Sequence, residues 1–316
     1  MGYKATFLIL TAITATSSLA AKLDDQLVGA WVSSTTVQSE GQPLEISVLS
    51  LYRSVGVFDS STLIKLSGQC QFANLSGTWS ITNNKLTAKI TSSDNSIIPS
   101  GTITIDTISQ LDGALLTITD EDGEQERYNR VQSKKDSREF RRVKSECIQA
   151  HILKSTPDMA LLQADIKFTH KPTGISITPS TSNWLLNKSA GNKMALIRSD
   201  GAFLDITLNK EKTSDDELRK MMEKQIRDTV KAVQLKGLSI SVEKPAFEIL
   251  KNAPHILQAS NCYTMTIDNL LPPMEMCVIH FQSTLKQGFL LGSSIIEREN
   301  IDAAQSLIKS ADLEAN

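Results

Sequence analysis

Apolar side chains fall on every second position in a series of short runs. Leu75, Gly77, Trp79 and Ile81 form one, and Leu86, Ala88 and Ile90 the next. Ile103 and Ile105, then Leu116 and Ile118, then Tyr128 and Arg130, continue the pattern. Period-2 alternation is the mark of half-buried strands. Turn-forming residues separate the runs: Asn83 and Asn84 as a tight hairpin, Asp94 and Asn95, Ile98-Pro99-Ser100-Gly101, and Asp120-Glu121-Asp122-Gly123. Residues 22–131 therefore read as all-β. About eight short strands with no long crossover predict an up-and-down barrel.

The texture changes twice after that. Residues 132–146 mix Lys134, Lys135, Arg138, Arg141, Arg142 and Lys144 with Asp136, Glu139 and Glu146, which predicts a charged helical linker acting as a solvated spacer. Residues 147–316 mix strands with two helices. Ser214 and Glu217 form a capping box, in which each side chain satisfies the other residue's backbone N–H. The helix it starts runs to about residue 233 and carries Leu218, Met221, Met222, Ile226, Val230 and Val233 on one face. A second helix begins near Asn300 and buries Ile301, Ala304, Leu307 and Ile308. Strands are expected near 183–189, 193–198, 202–209, 236–242, 256–267, 275–283 and 287–296. The runs on either side of Leu270, Leu271, Pro272 and Pro273 predict a hairpin. If Cys262 faces Cys277, Ile279 and Phe281 share their face, and Tyr263, Met265, Ile267, Met276 and Val278 take the other. Apolar residues on both faces call for layers above and below.

The first twenty residues have the make-up of a cleavable signal peptide: Lys4, a largely apolar stretch over 5–15, and small residues at Ser18 and Ala20. Cleavage after Ala20 and export to the periplasm or beyond are expected. No later segment is apolar enough to predict a membrane span. Lysine and arginine number 33 against 35 aspartate and glutamate, so no global pull toward nucleic acid is expected. An oxidising compartment makes the four cysteines candidates for disulfides. Cys262 and Cys277, opposed across the hairpin, either pair or remain as buried thiols. Cys70 and Cys147 either pair with each other or stay free.

The first domain resembles the lipocalin-like barrels. Gly29-Ala30-Trp31 is similar to their G-x-W signature, and Arg130 to the basic residue that packs across that tryptophan. The resemblance implies that Gly29, Trp31 and Arg130 close one barrel end, the guanidinium stacked on the indole. The second domain resembles the PsbP-like fold in the order of its elements: Phe203 to Leu208, the capped helix, antiparallel strands, then a final strand and helix. That implies an α/β/α sandwich with an antiparallel sheet. The fold class expected is α+β, mainly β, with a signal peptide at 1–20, a barrel at 22–131, a linker at 132–146 and the second domain at 147–316.

Catalytic signatures are missing from the sequence. His151, His170, His255 and His280 are scattered, and no zincin motif, nucleophile elbow, phosphate loop or dinucleotide fingerprint occurs. Cys277 and His280 are three apart on a strand and point to opposite faces. Asp120, Glu121 and Asp122 lack the ligand spacing of a calcium loop. No catalytic residue, cofactor or metal site is assigned. The expected function is an exported, non-enzymatic binding or interaction protein, its barrel holding a small apolar ligand. The alternatives are an envelope assembly factor or inhibitor of an extracellular enzyme, with an envelope protein as partner, and an unrecognised hydrolase. An open barrel interior favours the first of these and a filled one the second.

Overall fold

The computed structural model describes residues 23–39, 41–95, 98–235, 239–243, 246–249, 255–285 and 288–313. The expected signal peptide lies outside the described residues. Two compact units divide the chain. One ends at Cys147 and takes in Leu270–Pro272, and the other begins at Ile148.

The first unit opens with a short helical turn, α1 (residues 23–27). Eight antiparallel strands then close into a barrel in sequence order: β1 (Gly29–Ser39), β2 (Gln42–Tyr52), β3 (Val57–Leu66), β4 (Gln69–Thr82), β5 (Lys85–Ser93), β6 (Ile103–Leu111), β7 (Leu115–Thr119) and β8 (Gln125–Arg130). Asn83 and Asn84 both take positive φ, 52° and 60°, as a two-residue hairpin turn between twisted strands requires. Closure rests on a short pairing of β1 with β8, where Trp31 faces Arg130 and Val32 faces Asn129. The apolar residues of β4, β5, β7 and β8 named from the sequence point inward, into a core of Trp31, Phe58, Trp79, Ile81, Leu86, Ile90, Ile108 and Leu116. Gly77 belongs there because a Cβ would come 2.1 Å from the Lys89 carbonyl oxygen and 2.8 Å from the Phe58 ring.

Strand β6 departs from the expected alternation. Ile103 and Ile105 face outward and stay exposed, at 56% and 39%. Asp106 pairs with inward-facing Leu86, and Ile108 joins the core. The inward set of β6 is Thr104, Asp106 and Ile108, because a one-residue change of register exchanges the two faces.

Residues 132–146 are no solvated spacer. Helix α2 (Arg138–Ser155) buries Phe140, Val143 and Cys147. They pack on Ala30, Val32, Leu63 and Val131 on the outer face of the barrel. Arg142 bonds Glu45, Glu139 and Glu146, and Lys65 bonds Glu45 and Glu146, so Glu139, Arg142 and Glu146 of this helix join an ion-pair network with the barrel. A disulfide joins Cys70 on β4 to Cys147 on α2.

The second unit is built on an antiparallel sheet: β9 (Met159–Leu161), β12 (Trp184–Asn187), β13 (Met194–Arg198), β14 (Phe203–Asn209), β15 (Ser239–Val242), β16 (Ala246–Ile249), β17 (Ile256–Thr266), β18 (Met274–Leu285) and β19 (Gly288–Glu297). Their order is β15, β17, β18, β19, β14, β13, β12, β9, with β16 also pairing with β17. A smaller sheet joins β10 (Phe168–His170), β11 (Ile175–Ile177) and β20 (Asp312–Leu313). The three-residue strands, together with β16 and β20, have no counterpart among the runs expected from sequence, since so few residues display no period. Cys262 faces Cys277 across β17 and β18, and the two are bonded. Helix α3 (Asp215–Leu235) lays Leu218, Met222 and Ile226 on Ala259, Tyr263 and Val278. Helix α4 (Ile301–Ser310) lays Ala304, Leu307 and Ile308 on the opposite face, with Ile279, Phe281 and Ile296. The capping box forms as expected: Ser214 N donates to Glu217 Oε2 at 3.0 Å, and Glu217 N to Ser214 Oγ at 3.2 Å.

His280, 5% exposed, lies on the α3 face, with Nε2 against Gln225 Oε1. Burial lowers its pKa from 6.5 to about 4. The unfolded chain then takes up a proton well before the folded one, so stability is full above about pH 6.5 and is lost as pH falls toward 4. From the two pKa values the loss is about 2 kcal/mol by pH 5. Urea midpoints at pH 7.5 and pH 5 measure it. The drop should shrink in His280→Asn, and an undiminished drop would place the acid sensitivity elsewhere.

Candidate functional site

One end of the barrel is closed by a side-chain cluster. Trp31 is fully buried, and its Nε1 donates to the Leu27 carbonyl at 2.7 Å. The Arg130 guanidinium carbon stands 4.6 Å from the indole centroid. Its Nη1 donates to the Val28 carbonyl at 3.0 Å and its Nη2 to the Gln26 carbonyl. These bonds tie α1 and the residue after it to the last strand. Burial lowers the Arg130 pKa, yet the guanidinium remains charged at any ordinary pH. Gly29 adopts φ 150°, and a Cβ there would come 2.7 Å from Arg130 Nη1. The structure thus brings Gly29, Trp31 and Arg130 together, as a floor with no reactive group exposed.

Above the floor the barrel is uneven. Strands β1 to β4 run 11, 11, 10 and 14 residues, whereas β7 and β8 have 5 and 6. Near the floor Ile81, Leu86 and Leu116 fill the lumen. On the tall wall the register keeps Ile46, Val48, Ser60, Thr62 and Ile64 on the inward face, and water reaches each of them in part. They meet water because β7 and β8 are too short to stand across from them and β1 pairs with β8 at two residues only. The barrel is therefore cup-like, filled near its floor and open above it.

Aromatic side chains line its inner surface. Tyr52 stacks on Phe58 with centroids 6.0 Å apart, and meets Trp79 edge-on at 5.8 Å. The short wall carries carboxylates. Asp106 on β6 and Glu126 on β8 both take inward positions, opposite Leu86 and Ile118. The Tyr128 hydroxyl donates to Glu126 Oε2. The Asp106 carboxylate makes no hydrogen bond or ion pair among the described residues. Burial, then the charges of Glu126, Asp120 and Glu121, raise its pKa to about 6. Burial and the same two inward carboxylates raise the Tyr52 pKa, and burial with Glu126 raises that of Tyr128. Both phenols stay protonated as donors.

These lumen groups escaped the sequence reading. Asp106 sits between Ile105 and Thr107, and the isolated alternation of Ile103 and Ile105 points to the wrong face. Only the shared position of Asp106 and Leu86 reveals it, and that is a cross-strand fact.

The other singled-out residues do not converge. His170 Nδ1 is 2.9 Å from Thr173 Oγ1, and His280 is held by Gln225. Cys277 is fully buried and bonded to Cys262, on the sheet face away from His280. Asp120 Oδ1 accepts from the backbone N–H groups of Asp122 and Glu124, at 3.0 and 2.8 Å, and so shapes its own turn. Among the described residues no three histidine, cysteine or carboxylate side chains are grouped to hold a metal ion.

No family model matches the chain, and no curated protein does. Among solved structures it is aligned with a porin-like protein from Bacteroides uniformis at 10% identity, over 86% of this chain and 96% of that one, with a TM-score of 0.16. A protein of unknown function of the DUF3598 family from Nostoc punctiforme aligns at 12% identity over 88% and 98% of the two chains, with a TM-score of 0.17. A di-domain ARO/CYC protein of the steffimycin biosynthetic pathway aligns at 10% identity over 89% and 79%, with a TM-score of 0.14. Scores this low carry no argument about fold or function.

Proposed function

We propose that this chain is an exported, non-enzymatic binding protein whose barrel takes up a small, largely apolar molecule. The observation that carries the reading is the partial exposure of Ile46, Val48 and Ile64 on the inner wall of a closed barrel. Pockets for small molecules are concave and mostly apolar, with a few polar groups that fix orientation. The cup has that make-up. Two disulfides fit an oxidising compartment outside the cytoplasm. No helix among the described residues is long and apolar enough to cross a membrane. The likeness to lipocalin-like barrels in Gly29, Trp31 and Arg130 agrees with this use of the first unit, and the PsbP-like reading of the second implies no chemistry of its own.

Titration with the neutral, environment-sensitive probe N-phenyl-1-naphthylamine tests the proposal. Saturable fluorescence enhancement at one site per chain is expected. Val48→Trp and Thr62→Trp, two separate obstructions of the cup, should each remove it while the thermal transition stays cooperative. Failure of the wild-type protein to bind the probe, or undiminished binding by both folded variants, would overturn the reading.

A further inference from the structure

Above the floor, the charged groups on the inward face of the cup are all of one sign. Asp106 and Glu126 bring two carboxylates to the inner surface. Tyr128 is committed as donor to Glu126, and Tyr52 lies close enough for both carboxylates to raise its pKa. The inward positions of the eight strands hold one cation, Arg130, and it is stacked on Trp31 and bonded to the Val28 and Gln26 carbonyls at the closed end. Lys65 pairs with Glu45 and Glu146 on the outer face. Asp106 is therefore a half-buried inward carboxylate with no counter-charge among the described residues, close enough to Tyr52 and Tyr128 for its charge to act on both. Aromatic faces attract cations, more strongly where water is excluded. An uncompensated carboxylate in a poorly hydrated site does the same, and repels anions.

We infer that the cup selects an amphiphile with a cationic head, an organic ammonium carried on an apolar body. The head would lie between Asp106 and the ring of Tyr52, with Glu126 at the rim, and the body against Ile46, Val48 and Ile64. This rests on the cup being a binding site at all, so the test separates the two claims.

Decyltrimethylammonium, decanol and decanoate share one chain and differ in the charge of the head. Each is used below its micelle concentration to displace N-phenyl-1-naphthylamine from the wild-type protein. The ammonium should displace the probe at about a tenfold lower concentration than decanol, which is the size of one charge-assisted contact. Decanoate should be the weakest. Asp106→Asn and Glu126→Gln should each reduce the preference for the ammonium while leaving decanol unchanged. The trimethylammonium group does not titrate, so the preference should also fade as pH drops through about 6 and Asp106 gains a proton, relieving its repulsion by Glu126, Asp120 and Glu121. Equal or tighter binding of decanol would overturn the inference and leave the cup reading standing. So would preference for decanoate, or failure of all three to displace a bound probe. Absence of probe binding would overturn both claims.

Discussion

Trp31→Ala is expected to destabilise the first unit by about 3–5 kcal/mol, the range found for truncating a buried large aromatic side chain. Trp31 is fully buried, and three losses coincide in its removal. The lumen core loses the indole's contacts and keeps a cavity. The Leu27 carbonyl loses the donor that holds α1 in place. Arg130 loses the aromatic face beneath its guanidinium while remaining desolvated. Its hydrogen bonds to the Val28 and Gln26 carbonyls remain. Urea denaturation of the wild-type and variant proteins measures the difference. Trp31→Phe keeps a ring but not the N–H, and should fall between them. A loss below about 1 kcal/mol for the alanine variant would mean that the floor contributes little to the barrel's stability.

Replacing Cys70 and Cys147 together by alanine is expected to cost about 4–5 kcal/mol. The bond closes a loop with a sequence separation of 77, against 15 for Cys262 and Cys277. In the chain-entropy account the stabilisation grows with the logarithm of the loop, giving about 4.5 kcal/mol for the longer and about 3 for the shorter. The longer bond also fixes α2 to β4, and with it the contacts of Phe140 and Val143 on the barrel's outer face. Cys147 is itself fully buried, so alanine serves better than serine, which would bury an unpartnered hydroxyl. Chemical denaturation of the double variant gives the value. Proteolysis within 138–147 in the variant but not in the parent would show that the helix has left the barrel. Equal stability of the two proteins would refute the assignment of this bond as a main constraint on the unit.

Legibility in the sequence divides along a physical line. Features set by neighbours in the chain can be read directly. Asn83 and Asn84 make their hairpin because both tolerate positive φ. Ser214 and Glu217 cap α3 because three residues separate them. The hairpin of β17 and β18 brings Cys262 opposite Cys277 because the short connection through Pro272 and Pro273 turns the second run back on the first. Trp31 and Arg130 are far apart in the chain, yet they mark the first and last strands of a barrel that must close.

The tertiary structure decided what depends on surfaces brought from elsewhere. Two isoleucines on β6 made a period too short to tell inside from outside, and pairing with β5 turned them to solvent and turned Asp106 inward. The charges of residues 132–146 hid the stripe of Phe140, Val143 and Cys147, because the surface that stripe covers is built by β1 and β3. The pairing of Cys70 with Cys147 followed from that docking, since neither residue's local pattern names its partner. The sequence by itself determined the longer strands and the turns between them, and the resemblance to lipocalin-like barrels supplied the closing pair. The open cup and the sign of its charge came from the unequal strand lengths and the cross-strand register, and register is a relation between segments that no single segment encodes.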